Sequence, residues 1–138
     1  MKKVLIAAAL SVVSLVSIEA FAGKAERDFM TNEVQPAVKK VEGKLKEACG
    51  CNTKFVVSDS LKTRDDLAQA RNIANDISDN VGKYCSDAAS KKAVCQLKTI
   101  EVVKGPDTKF AFKDGKGLCT TDGQSYVNWD MITQEIDK

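Results

Sequence analysis

TRDDLAQARNIANDISDNVGKYC, residues Thr63–Cys85, opens with Thr63 three positions before Asp66, the spacing of a capping box at a helix start. Leu67, Ala70, Ala74, Ile77, Val81 and Tyr84 then recur at three- and four-residue steps, which places them in one stripe of a helix. Arg64, Asp65, Gln69, Asn72, Asp76, Asp79 and Lys83 fall mainly off that stripe. The stretch is therefore an amphipathic helix that needs a sheet or a second helix to cover one side.

Working toward the N-terminus, Asn52–Asp59, NTKFVVSD, reads as a strand centred on Phe55, Val56 and Val57. Before it, Met30, Val34, Ala37, Val41, Leu45 and Ala48 again keep helical spacing between Lys24 and Cys49. Pro36 lacks an amide hydrogen and its ring crowds the preceding turn, so that helix either starts near Asn32–Gln35 or kinks one turn before the proline. Gly50 is placed to leave it with a positive φ angle.

Toward the C-terminus, Ser86–Lys92 reads as a turn or a single helical turn capped by Ser86 or Asp87. Val94–Val103, Lys109–Lys113 and Leu118–Thr121 read as strands separated by turns at Gly105-Pro106-Asp107 and Asp114-Gly115-Lys116-Gly117. In a plain meander Phe110 faces Val102 and Phe112 faces Ile100, while Lys109, Lys113 and Glu101 point outward. Asn128, or Ser125, caps a terminal helix with Trp129, Ile132 and Ile136 on one side. The expected architecture is α+β: helix, strand, helix, a three-stranded antiparallel meander and a C-terminal helix. The helices pack on one face of a single sheet whose first strand joins either edge.

Lys2 and Lys3, the uncharged run Val4–Ile18 and Ala20-Phe21-Ala22 have the layout of a secretory signal peptide, residues 1–22, cut after Ala22. The run is shorter than the roughly 20 apolar residues of a membrane span. The short basic start is of bacterial type, so the expectation is a periplasmic or secreted protein with no stable membrane insertion after cleavage. The remainder, 23–138, has the size of one domain and a net charge of about +1, so composition calls for no nucleic acid.

Cys49, Cys51, Cys85, Cys95 and Cys119 all follow the cleavage point, where disulfides persist. Five is odd, so two bridges and one spare cysteine are expected, the spare being buried, reactive or used to join two copies into a dimer. If both long helices end on the same side, Cys85 meets one of Cys49 and Cys51. Cys85 with Cys95 is the rival pair, and Cys119 is left to the other of Cys49 and Cys51. As free thiols, Cys49 and Cys51 form a metal- or redox-capable pair, although a helix C-terminus disfavours thiolates.

The chain has no histidine, which removes Ser-His-Asp and Cys-His catalysis and histidine metal sites. Asp65-Asp66 is the obvious carboxylate pair, but its place in a first helical turn is explained by the helix dipole. No catalytic set or cofactor motif emerges, and the enzyme question stays open. The leading expectation is an exported protein that acts by binding another protein, as an inhibitor, an immunity-type factor or an envelope accessory. Lys109, Lys113 and Tyr126 are its candidate contact residues. The alternative is thiol exchange or soft-metal binding at Cys49 and Cys51.

Overall fold

The computed structural model describes residues 23–138; the signal-peptide reading of 1–22 lies outside the described residues. Helix α1 (Lys24–Phe29) runs through one π-helical turn (Met30–Val34) into α2 (Gln35–Cys49). Pro36 lies in the first turn of α2, directly after that wide turn. Of the two outcomes expected around the proline, the local distortion one turn earlier is realised. A wider turn gives room to a ring that would press on the carbonyl four residues back. Gly50 ends α2 in the left-handed region, φ 78°, with its N–H donating to Lys46 O and that of Cys51 to Leu45 O.

Strand β1 (Lys54–Val57) leads to α3 (Arg64–Tyr84), the helix on which the rest is assembled. Thr63 and Asp66 form the reciprocal capping box: the Thr63 hydroxyl accepts from Asp66 N at 3.1 Å, and the Asp66 carboxylate accepts from Thr63 N at 3.3 Å. Its buried stripe holds Leu67, Ala70, Ala74, Ile77 and Val81, and Ile73 joins them. Asp87 caps α4 (Ala88–Val94), which is longer than the single turn expected. The segment Val94–Lys98 is consequently not strand, and β2 begins at Thr99 (Thr99–Lys104). Strands β3 (Lys109–Lys113) and β4 (Lys116–Thr121) and helix α5 (Trp129–Ile136) complete the chain. Asn128 caps α5, and Asp76 of α3 accepts from Trp129 N at 2.6 Å, which fixes one helix to the other. The Tyr84 ring meets Trp129 edge-on at 5.5 Å, and its hydroxyl donates to Asp137.

The class is α+β, with helices and a four-stranded sheet held by two disulfides. The meander is corrected: the strand order is β1-β2-β4-β3, with β1, β2 and β4 parallel and β3 antiparallel to β4. β4 is inserted between β2 and β3. Asp114 (φ 51°) and Gly115 (φ 80°) make the two-residue hairpin turn that holds β3 to β4. Gly105 starts a link that passes over the end of β4. Its N–H donates to Thr121 O, and a Cβ there would lie 2.2 Å from Thr120 Cγ2.

The inner face nevertheless has the expected rows, with β4 interposed. Phe110 pairs with Cys119, which pairs with Val102; Phe112 pairs with Gly117, which pairs with Ile100. Gly117 leaves room for the Phe110 ring and Leu97, whose atoms would be 2.9 Å from a Cβ. Phe55, Ile100, Val102 and Cys119 are buried on this face, while Lys54, Val56, Lys109, Ala111, Lys113 and Lys116 alternate with the inner set and stay exposed. Helices therefore cover one side of the sheet, and the other is open.

Candidate functional site

Strand alternation and register generate the open face directly. One row runs Lys54, Thr99, Lys116, Lys113 across β1, β2, β4 and β3. The next runs Val56, Glu101, Leu118, Ala111, and a third places Val103, Thr120 and Lys109 side by side. Val56, 40 % exposed, is the one exposed large apolar side chain among the described residues. It lies on edge strand β1, two residues from Lys54; Lys116 stands two strands away, and Lys109 and Lys113 stand on the opposite edge strand β3. Glu101 is the single carboxylate in these rows and is paired with Lys116 at 2.6 Å. Lys109 lies 3.9 Å from Asp107, and Lys54 and Lys113 have no ion-pair partner among the described residues. The middle row of the face is thus largely apolar, and lysines occupy the rows on both sides of it.

The two edges differ. Phe55 N on the outer side of β1 donates to Glu42 Oε2 of α2 at 2.8 Å, so a helix side chain occupies that edge. Strand β3, the other edge, carries a lysine at each end, a charge pattern that discourages strand addition by another chain.

Of the residues singled out from sequence, Lys109 and Lys113 sit together on the open face. Tyr126 does not join them; it lies in the link to α5, half-buried and packed on the core. Lys54 and Lys116 were missed as members of the face. Lys54 alternates with Val56, a legible signal, whereas Lys116 looked like part of a turn.

The cysteines divide into two bridges and one thiol. Cys49 pairs with Cys85 and Cys51 with Cys95. Cys49 and Cys51 are therefore not a free dithiol, and each serves a different bridge. The first bridge ties the end of α2 to the end of α3, as expected for helices that finish on the same side. The second ties the approach to β1 to the end of α4, a pairing that sequence did not suggest. Cys119 is the spare cysteine, completely buried on the inner face of β4, and burial pushes its thiol well above the ordinary value. Joining two copies through it would require the sheet to part from its helices.

Two clefts flank the second bridge. One, of about 700 Å³, is lined by Lys92, Cys95, Lys98, Phe112 and Asp114. The other, of about 230 Å³, is lined by Glu42, Lys46, Cys51 and Lys54. The expected alternative site is thus built over as disulfide, but one of its bridges is bordered by four lysines.

Asp66, half of the carboxylate pair, is structural. Its Oδ1 accepts from Lys104 Nζ at 2.6 Å while its other oxygen caps α3. Burial pushes its pKa up, but the hydrogen bonds and charge from Lys104 and Thr63 outweigh that and hold the carboxyl below its usual range. Among the described residues, no group of three acidic, cysteine or histidine side chains is arranged to hold a metal ion. No helix there is long and apolar enough to cross a membrane.

Comparison with family models, curated proteins and solved structures gives no match to this chain. The reading of its function rests on the site itself.

Proposed function

We propose that this is an exported, periplasmic or secreted, binding protein whose working surface is the open face of the sheet. Its partner is another protein, one that presents acidic groups on both sides of an apolar strip. The middle row of the face carries the reading: Val56, exposed on edge strand β1, is followed by Glu101, paired with Lys116, and then by Leu118 and Ala111, with Lys54, Lys116 and Lys113 in the row on one side and Lys109 in the row on the other. A largely apolar row flanked by charged side chains suits a protein docking surface, whose core is apolar and whose rim is polar. The flanking lysines would steer an acidic partner and fix its orientation. Nucleic acid fits less well, because the rows hold no aromatic side chain on which bases could stack and the whole chain is close to charge balance, +2. The two bridges suit an oxidising compartment, where they would persist. Inhibition, immunity or envelope assistance are the roles such a surface would serve.

The test places a photo-crosslinking amino acid at Val56 or Ala111 in cells that make the protein, with exposed Lys40 of α2 as control position. A discrete crosslinked protein from positions 56 and 111, absent from position 40, is expected. Lys109→Glu with Lys113→Glu should weaken its capture about tenfold at low salt. Identical products from position 40, or capture indifferent to both reversals, would remove the sheet face from consideration.

A further inference from the structure

We infer that the Cys51–Cys95 bridge is a thiol-exchange site that takes a small thiol bearing carboxylates, attacked at Cys95. The attacked cysteine lies off the sheet face, Lys54 at the Cys51 cleft being the one residue shared with it, and the inference does not depend on what docks there.

The first observation is access. Cys49, Cys51, Cys85 and Cys119 are each 5 % exposed or less, whereas Cys95 is only half-buried and opens into the 700 Å³ cleft. Of the four bridged cysteines, Cys95 alone lines that cleft. The Cys49–Cys85 bridge has both sulfurs buried and lines neither cleft.

The second observation is charge. Lys92 and Lys98 line the same cleft against a single carboxylate, Asp114, so the cleft is net positive. A thiol carrying carboxylates would be concentrated there, and its thiolate favoured. The sulfur that departs is that of Cys51, which lines the second cleft together with Lys46 and Lys54, Glu42 being the one acid there. Glu42 is engaged with Phe55 N. Lys46 and Lys54 line that cleft and offset part of the disadvantage that burial and the α2 C-terminus impose on a departing thiolate.

The step balances without an outside oxidant. The incoming thiolate forms a bond to Cys95 Sγ, the Cys51–Cys95 bond breaks, and its electron pair goes to Cys51 Sγ. The products are a mixed disulfide on Cys95 and a Cys51 thiolate. Cys51 then either closes the bridge again, expelling the small thiol, or stays free when a second thiolate removes the adduct as a small-molecule disulfide and leaves Cys95 reduced.

The oxidised full chain is treated with reduced glutathione or, separately, with cysteamine, which has no carboxylate and carries a positive charge, at equal thiolate concentration. Samples are quenched with acid, alkylated, weighed intact and mapped as peptides. The expected early product has glutathione on Cys95, alkylated Cys51 and an intact Cys49–Cys85 bridge. Glutathione should react at least about threefold faster than cysteamine at low salt, and 1 M salt should erase the difference. Lys92→Gln with Lys98→Gln should erase it as well, with an unchanged melting temperature. Adducts appearing first on Cys49, Cys51 or Cys85, equal rates for the two thiols, or no reaction before unfolding would each overturn the inference.

Discussion

Asp66 shows how one side chain is committed twice. It closes the capping box of α3 and pairs with Lys104 at the end of β2, so the helix start and the sheet end are set by the same carboxylate. Its folded pKa lies below the ordinary 3.8, so as the medium is acidified the unfolded chain takes up the proton first. The stabilisation is complete above that value and is lost as pH falls through the lower, folded one. Asp66→Asn keeps a cap acceptor and gives up the ion pair, at an expected cost of about 1 kcal/mol at neutral pH, Lys104 being half-exposed. Urea unfolding followed by the fluorescence of Trp129, the single tryptophan, should show the gap between variant and wild type closing below about pH 4. A gap independent of pH would mean that Asp66 does not carry this acid sensitivity.

At the level of elements, α3 was legible almost residue for residue, because its cap, its stripe and its final Cys85 are all local features of sequence. The extent of β3 was equally legible, since lysines bracket an alternating apolar pair. The strand order was not. Gly105-Pro106-Asp107 has hairpin composition, yet whether such a link returns to its neighbour or steps over a strand is decided by what lies beyond it. Here that is Thr120 and Thr121. The same holds for the second bridge, because Cys95 is delivered to Cys51 only when α4 runs its full length from the Asp87 cap. The open lysine face was half legible, as the sequence marked β3's lysines but not the partners that β4 and β1 bring beside them. For the first bridge, Cys49 and Cys85 are 36 residues apart, and closing that loop contributes about 4 kcal/mol on the chain-entropy account. Replacing both by serine, which avoids leaving a thiol to attack the other bridge, should lower the melting temperature on the order of 15 °C under oxidising conditions. An unchanged melting temperature would show that α2 and α3 hold together by packing alone.

For the whole molecule, the two bridges gather the chain at one pole. The approach to β1 and the ends of α2, α3 and α4 meet around Cys49-Gly50-Cys51, while the thiol of Cys119 is buried on the inner side of β4, opposite the open sheet face. Exchange at Cys51–Cys95 would loosen the α4 tether and leave the α2–α3 pair joined. The pairing pattern also bears on how the protein is made. In chain order the four bridged cysteines join first to third and second to fourth, so the loops interlock rather than follow one another. A chain oxidised as it emerges would join each cysteine to the nearest earlier one, giving Cys49 with Cys51 and Cys85 with Cys95. Reduced protein refolded with oxidant alone should therefore accumulate those neighbour pairs, detectable by peptide mapping, and convert to the native set when a thiol–disulfide shuffling catalyst is added. Direct formation of the native pairs at full yield would mean that folding precedes oxidation. Accumulation of the neighbour pairs would make biogenesis of this small domain a proofreading problem, in which the correct covalent form is the one reached after errors are undone.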